Sequence, residues 1–271
     1  MESPAMRDAS DGVSSLRRAL LLLEQFTPEH PELSVRELAR RADVPRSTTH
    51  RLVQELLSWG ALEHGVSGVR LGVRLFELGT IAPGQSTLHE ASSAYLHTLN
   101  EVTRLTANLA IREGLSILYV EKISTANLRV PHSRLGGRGS IHATALGKAI
   151  LAFSGPDAFA EITSRPLDAE TPHTITDPDD LRRELAKVRH EMVAYDVEES
   201  RPGLFCVAAP ILDRRKSALA AVSVTGATER AQAERFASAV MATARSISRR
   251  LSEHPARSSA AVSPLAGNAR S

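Results

Sequence analysis

The chain has 271 residues, 42% of them hydrophobic, which is enough for two folded domains with a core each. A net charge of +2 is too small to indicate a general polyanion-binding protein, so any contact with nucleic acid must come from a local group of basic residues. The single cysteine, Cys206, excludes a disulfide framework and a cysteine-clustered zinc or iron–sulfur site within one chain.

The two ends of the chain lack apolar periodicity. Residues 1–12 are small and polar, and residues 256–271 are rich in Ser, Ala, Pro and Gly, so we expect both segments to be disordered. The N-terminus shows no apolar leader, and no run of about 18 apolar residues occurs. Together with the single cysteine, this favours a soluble cytoplasmic protein without a membrane partner.

The first ordered segments read as helices. Apolar residues recur at three- and four-residue spacing from Ser14 to Phe26, which predicts a first helix with one buried stripe. Ser34, followed three residues later by Glu37, forms a capping-box pattern that predicts the start of a second helix. The residues 42–44 then predict a corner.

A third helix is predicted from Pro45 to Trp59. Proline suits the first turn because its missing N–H needs no partner there, and Gly60 suits the C-terminal end. The residues spaced to share its buried face are Thr49, Leu52, Val53 and Leu56.

The outward face of this third helix has the chemistry of a DNA-reading surface. A recognition helix meets base edges near its N-terminal end, where the helix dipole also favours phosphate. Arginine can read guanine, glutamine can read adenine, and hydroxyl groups can hold phosphates. Between Arg36 and Arg51, five arginines stand against two acids. The candidate DNA contacts are Arg36, Arg46, Ser47, Thr48, His50, Arg51, Gln54 and Arg70.

The residues after the third helix predict a β-ribbon. The segment from Ala61 to Leu71 reads as two strands joined by a turn at 65–68. Paired amphipathic helices also occur in many all-α proteins, where arginines only solvate a face. The order of capping box, corner, basic helix and ribbon favours a winged helix-turn-helix DNA-binding domain, which we place at residues 13–74.

The second half of the chain mixes strand and helix patterns. Two pairs of β-rich runs predict two hairpins, 106–111 with 115–123 and 204–212 with 218–225. The predicted helices are 87–102, 142–153, 178–191 and 229–251. This mixture predicts an antiparallel sheet with flanking helices.

Seven sequence blocks follow one another along the chain: SLRRALLLLEQF, SVRELARRADVPRSTTHRLVQELLSWGALE, VRLGVRLFELG, IHATALGKAILA, TITDPDDLRRELAKVR, YDVEESRPGLFCVAAPILD and AAVSVTGA. Over residues 13–255 this order resembles the IclR family of transcriptional regulators. The resemblance implies an α+β fold, with a linker helix region at 75–102 and a GAF/PAS-like effector-binding domain at 88–255. Two positions depart from the family pattern. Val69 stands where the wing usually carries an aromatic residue, and Met192-Val193 stands where a glycine usually precedes Ala-x-Asp.

The resemblance also implies a pocket for a small anionic or aromatic metabolite, without a cofactor or metal. Ser223 and Thr225 are two apart on a strand, so both hydroxyls point to one face, and the N–H groups of residues 140–142 precede a helix and suit a carboxylate. Each contact has a plainer alternative: Cys206 as a buried small residue, Asp196 as the cap of a turn. The candidate effector contacts are Gly139, Ser140, Ile141, His142, Asp196, Cys206, Ser223 and Thr225.

Two other classes of function compete with a regulator. The segment that contains Lys148 resembles the sequence pattern of a phosphate-binding loop. His142 stands where the first glycine of that pattern belongs, so the interpretation as a phosphate-binding loop fails. A hydrolase would need Cys206, His142 and Asp196 to form a triad. Alternatively, the C-terminal domain only oligomerises a DNA-binding protein.

The sequence therefore predicts a transcriptional regulator and not an enzyme. We expect a homodimer or a dimer of dimers on a double-stranded DNA operator, with a small-molecule effector such as a carboxylate or an aromatic acid. A repressor is favoured over an activator, although no residue decides the sign of regulation.

Overall fold

The computed structural model describes residues 13–81, 85–124, 133–227 and 230–253. The chain divides into two compact units, Met1–Ala82 and Pro83–Ser271. The two ends predicted to be disordered and Glu229, the predicted start of the last helix, lie outside the described residues. None of the helices in the described segments is long and apolar enough to cross a membrane.

Helices and a small sheet build the described part of the first unit. Its elements in chain order are α1 (Ser15–Leu23), β1 (Glu32–Leu33), α2 (Val35–Ala42), α3 (Arg46–Trp59), β2 (Leu62–His64), β3 (Val69–Leu71) and α4 (Val73–Thr80). The strands pair antiparallel in the order β1-β3-β2. This is a helix-turn-helix followed by a wing, as the sequence predicts.

Caps set the boundaries of the paired helices. Ser34 Oγ accepts a hydrogen bond of 3.2 Å from the Glu37 N–H, which fixes the start of α2. The Glu37 carboxylate, which would complete a capping box, instead binds Arg40 and Arg41. Gly60, with φ of 85°, ends α3 in the left-handed region.

The wing has one strand more than the ribbon predicted over 61–71. Leu33 of β1 pairs with Val69 of β3. A strand of two residues has no periodicity, so the sequence pattern could not predict it. Val69 lies in the core of the unit beside Leu22, Leu38 and Leu52, so a valine is accommodated where the family usually has an aromatic residue.

The second unit is an antiparallel sheet with helices on both faces. Its described elements are α5 (Gln85–Thr103), β4 (Thr106–Glu113), β5 (Ser116–Ile123), β6 (Arg138–Ser140), α6 (Ala145–Leu151), α7 (Pro156–Thr163), α8 (Pro178–Glu191), β7 (Ala194–Val197), β8 (Leu204–Leu212), β9 (Ala218–Ala227) and α9 (Arg230–Glu253). The six strands run in the order β6-β5-β4-β9-β8-β7. The α+β class is therefore confirmed.

Alternation along the central strands β8 and β9 sends side chains into two cores. Val207 and Val222 pack with α5 and α9 on one face of the sheet. Cys206, Ala208 and Ala221 pack with α6, α7 and α8 on the other. We call these the α5/α9 face and the α6 face.

Both predicted hairpins and the helix at Pro178–Glu191 are confirmed, but the predicted start of α6 is wrong. The sequence pattern placed that start at His142, whereas the helix begins at Ala145. Thr144 is the cap, because its Oγ1 accepts a hydrogen bond of 3.0 Å from the Gly147 N–H. The sequence patterns also missed α7, β6 and β7, which are too short for a clear period.

The region predicted as a linker, 75–102, contains the end of α4 and most of α5. Leu88, Leu96 and Leu99 of α5 are buried in the core of the α5/α9 face. This helix therefore belongs to the body of the second unit.

Gly147 allows α6 to lie directly against the preceding chain. A Cβ at this position would stand 2.5 Å from Ile141 Cα, inside a helix that is buried along its whole length. We expect Gly147→Ala to destabilise the second unit by about 1–3 kcal/mol in urea unfolding, because α6 must move away from Ile141.

The matched control is Gly79→Ala in α4, where a Cβ would meet nothing within 4 Å. Alanine there should leave the stability unchanged or raise it by up to about 1 kcal/mol. Wild-type stability of Gly147→Ala would contradict the close approach.

Candidate functional site

The exposed polar face of the first unit depends on the buried side of α3. Thr49, Leu52 and Val53 are buried between the helices. The Thr49 hydroxyl also bonds the carbonyls of Val44 and Pro45, both at 3.2 Å, and so ties the corner to the helix. This fixes the rotation of α3 about its axis and hence which residues face solvent.

Five of the predicted α3 contacts are exposed on one side of this helix and its N-terminal end, and Thr48 is half-buried beside them. The exposed residues are Arg46, Ser47, His50, Arg51 and Gln54. Arg36 is exposed on α2 and Arg70 is exposed on β3. The structure thus brings the α3 residues together and leaves the other two on separate elements.

Two of these arginines already have acidic partners. Arg51 Nη1 lies 2.6 Å from Glu55 Oε1, and Arg70 Nε lies 2.7 Å from Glu63 Oε1. Both pairs are exposed to solvent, where an ion pair contributes only about 0–1 kcal/mol. A phosphate or base edge can therefore displace either carboxylate at small cost.

In the second unit, polar side chains gather on the α6 face at one end of the sheet. Across neighbouring strands, Asp196 pairs with Cys206, Cys206 with Thr225, and Thr225 with Thr106. Two residues further along the same strands, Ser223 pairs with Asn108. All are buried. We call this set the polar cluster: Thr106, Asn108, Asp196, Cys206, Ser223 and Thr225.

Hydrogen bonds connect the middle of the polar cluster. Asn108 Nδ2 lies 3.5 Å from Ser223 Oγ and 3.3 Å from Thr225 Oγ1. Thr225 Oγ1 in turn lies 3.3 Å from Cys206 Sγ. Two buried atoms of the cluster have no hydrogen-bond partner, Thr106 Oγ1 and Asn108 Oδ1.

Asp196 is occupied by its own turn. Its Oδ1 accepts from the N–H groups of Glu199 and Ser200 at 2.8 and 3.1 Å, and its Oδ2 accepts from the Ser200 hydroxyl at 2.5 Å. Burial raises the pKa of Asp196, against the lowering effect of these donors. The geometry matches the plainer alternative considered for this residue, a carboxylate that caps a turn.

A fully buried lysine holds the same turn from α6. Lys148 Nζ bonds the two carboxylate oxygens of Glu199 at 2.6 and 2.8 Å, and Glu184 of α8 at 3.3 Å. Burial raises the pKa of Glu199 to about 7, although Lys148 opposes the shift. The lysine of the segment that resembles a phosphate loop is thus a structural cross-link.

The four predicted contacts at 139–142 lie away from this end of the sheet. Gly139 and Ser140 belong to β6, which pairs with the start of β5, and Ile141 is part of the core. His142 bonds Ser140 Oγ through Nδ1 and the Asp168 carbonyl through Nε2, both at 3.0 Å. The N–H groups of 140–142 precede α6 by a turn and are not at its start.

The hydrolase alternative finds no support in these contacts. The His142 ring bonds Ser140 and the Asp168 carbonyl, and not Cys206 or Asp196. Burial, and then the nearby Asp196, raise the pKa of Cys206 to about 12, so the sulfur is a neutral thiol at pH 7.

The sequence patterns missed three polar residues with unusual surroundings. Thr106 and Asn108 stand in a run otherwise read only as a strand, and Arg201 has a buried Nη1 without a hydrogen-bond partner. A lone amide in an apolar strand is the signal that could have identified Asn108, because a buried amide requires partners.

Two family models match the chain. Residues 15–65 match the IclR helix-turn-helix domain, and residues 84–249 match the C-terminal domain of the bacterial transcriptional regulator IclR. Among curated proteins, the HTH-type transcriptional regulator BhcR of Paracoccus denitrificans is 34% identical over 88% of this chain and 88% of its own length. The transcriptional repressor IclR of Escherichia coli is 30% identical over 83% of this chain and 84% of its own length.

Solved structures include a neighbour that matches most of this chain. An IclR homolog from Microbacterium hydrocarbonoxydans, crystallised in complex with 4-hydroxybenzoate, superposes with a TM-score of 0.82. It is 30% identical, and the match covers 88% of this chain and 99% of that chain.

We expect the Cys206 thiol to resist alkylation in the native protein. With the pKa at about 12 in place of 9, its thiolate fraction at pH 8 is about 1000-fold lower than that of an ordinary cysteine, and burial further limits access. Mass spectrometry after iodoacetamide treatment measures this, with the urea-unfolded protein as the reactive control. Equal rates in the two states would restore the nucleophile hypothesis.

Proposed function

The chain belongs to the IclR family of transcriptional regulators, which bind DNA operators and small-molecule effectors, and from this we propose that it is a repressor controlled by a carboxylate or an aromatic acid. The observation that carries the DNA-binding part is the solvent-exposed polar face of α3, fixed by its buried opposite side. The name of the E. coli relative, a repressor, supports the sign of regulation.

The proposed contacts divide by chemistry. Arg46, Arg51 and Gln54 carry groups that can read base edges from the major groove. The remaining proposed contacts, which hold the DNA backbone, are Arg36, Ser47, Thr48, His50 and Arg70.

A homodimer, or a dimer of dimers, would present two recognition helices to a near-palindromic operator. Exposed apolar side chains of the first unit support a contact with a second copy. Leu16 and Leu20 project from α1, and Phe76 and Ile81 from α4 or its end, with exposed fractions from 50 to 75%. These apolar side chains are available for a contact with a second copy.

The proposed effector site is the polar cluster, with Cys206, Ser223 and Thr225 as contacts and Asp196 as a positioning residue. Buried polar atoms without partners are rare in folded proteins and call for an explanation such as a ligand. The unpaired N–H of Arg201, three residues before β8, suits an anionic group. The 4-hydroxybenzoate complex of the Microbacterium protein supports an aromatic acid. Gly139, Ser140, Ile141 and His142 remain proposed contacts at the far end of the same face.

Regulation requires that the effector prefer one of two states with different operator affinity, since equal affinity for both shifts nothing. The alternative, a C-terminal domain that only oligomerises, leaves operator binding independent of any small molecule. Variants of the two units test the DNA-binding part and the effector part of the proposal separately.

Arg51→Ala should weaken specific operator binding by about 1–3 kcal/mol, because a base contact is lost. Fluorescence anisotropy on the intergenic DNA beside the protein's own gene, with random competitor DNA, measures it. The control is Arg182→Ala on α8, which removes an exposed arginine paired with Asp179 in the other unit. Equal operator affinity of wild type and Arg51→Ala would remove this residue from the interface.

Ser223→Ala should raise the effector concentration needed for half-maximal release of the operator by about tenfold, because a buried hydroxyl partner is lost. The probes are benzoate and 4-hydroxybenzoate, followed by anisotropy. Ser248→Ala on α9, which loses bonds to Leu212 and Ala244 on the opposite face, is the matched control. An unaltered titration in Ser223→Ala would place the effector elsewhere, and operator binding that ignores every acid would favour the oligomerisation alternative.

A further inference from the structure

Thr106 and Asn108 form the least satisfied part of the polar cluster. Their side chains alternate with Ala107 and Leu109, which pack into the α5/α9 core, so both point to the α6 face. Both residues are almost completely buried, at 0 and 1% exposure. Thr106 Oγ1 and Asn108 Oδ1 nevertheless have no hydrogen-bond partner.

The amide nitrogen of Asn108 faces the neighbouring hydroxyls on β9. Its Nδ2 donates towards Ser223 Oγ and Thr225 Oγ1. Thr225 donates onward to Cys206 Sγ, so its oxygen is available as the acceptor for Asn108. The amide oxygen therefore faces away from β9 and offers an acceptor with no donor opposite it.

A buried acceptor without a donor costs about 1–3 kcal/mol, and a bound molecule that supplies the donor recovers this energy. A carboxylate cannot do so, because its oxygens only accept. An ammonium group could donate to Asn108 Oδ1, but it has no lone pair with which to accept from the Thr106 hydroxyl. A hydroxyl group fits both atoms, because it can donate to the Asn108 oxygen and accept from the Thr106 hydroxyl at the same time.

We propose that Asn108 and Thr106 read a hydroxyl group of the effector, which makes the effector a hydroxylated carboxylic acid. The inference rests on the proposed function, because it assumes that the polar cluster is the effector site. In this arrangement the hydroxyl donates to Asn108 Oδ1 and accepts a hydrogen bond from Thr106 Oγ1. The anionic end of the acid then lies towards the positive charges of Lys122 or Arg201.

The charge on Lys122 is consistent with this orientation of the acid. Its Nζ donates to Ser133 Oγ at 3.1 Å, and burial lowers the pKa of its ammonium group. An anion nearby opposes that lowering and stabilises the charged form. Positive charge and unsatisfied acceptors thus stand side by side on neighbouring strands.

The test uses two pairs of acids that differ by one hydroxyl group, 4-hydroxybenzoate with benzoate and lactate with propionate. Binding to the full chain is measured by isothermal titration calorimetry. For at least one pair, the hydroxylated member should bind about tenfold more tightly, the equivalent of one buried hydrogen bond.

Thr106→Val is the decisive variant, because valine keeps the shape and removes a hydroxyl that has no partner in the structure. A residue with a structural role only would lose stability on this change. We expect an equal or higher melting temperature without ligand, together with a reduced preference for the hydroxylated acid. Asn108→Leu should reduce the same preference further, at some cost in stability.

Thr103→Val is the matched control. Thr103 is also buried, but its Oγ1 donates to the Leu99 carbonyl at 2.7 Å and accepts from the Leu105 N–H at 3.3 Å. Valine there should lower the melting temperature and leave the preference for the hydroxylated acid unchanged. The control thus separates lost stability from lost recognition.

The outcomes separate this inference from the proposed function. Acids that bind without a hydroxyl preference, or a preference that survives both Thr106→Val and Asn108→Leu, would overturn the hydroxyl contact while the proposed function stands. If none of the four acids binds or alters operator affinity, the proposed effector class fails and the inference fails with it.

Discussion

The packing of the second unit depends on the alternation of side chains along two strands that are buried on both faces. Because β8 and β9 are covered on both sides, every residue in them must suit one core or the other. Large aliphatic residues such as Val207 and Val222 take the α5/α9 face. Small or polar residues such as Ala208 and Ser223 take the α6 face, so this face of the sheet carries buried hydrogen-bonding groups. A shift of one residue in the register would exchange the two sets of side chains, and neither core would then be packed by residues that suit it.

A buried charge then fixes the position of the α6 helix, which packs on this face of the sheet. Lys148 has no exposed surface, and an ammonium group without partners would be strongly unfavourable there. Glu199 and Glu184 must therefore approach it, which connects α6 with α8 and with the turn after β7. The same turn donates its N–H groups to Asp196. The α6 helix, the turn and the edge of the sheet thus form one connected polar network, whose parts cannot move independently.

The spacing of apolar residues predicted the helices and strands that depend on neighbouring residues in the chain. It failed for features that depend on contacts between residues far apart in the chain. The paired helices, both hairpins and the face shared by Ser223 and Thr225 follow from periods of 3.6 and 2. The apolar pattern does not show which residue before α6 is the cap, so it does not identify Thr144. The two residues of β1 form a strand only because they pair with β3. Asn108 was overlooked because its significance depends on Ser223, 115 positions away in the chain.

The ion pair on α3 has a consequence for how the protein searches a chromosome. Glu55 stands one turn after Arg51 and occupies its guanidinium group in the absence of DNA. If Arg51 meets DNA as proposed, a phosphate of random sequence must first displace this carboxylate, at a cost of up to about 1 kcal/mol, and the arginine then releases fewer counterions than a free one would. A small loss of affinity for random DNA would shorten each unproductive encounter. An acidic residue beside the reading arginine would thus favour rapid sampling of sites, at the expense of nonspecific affinity.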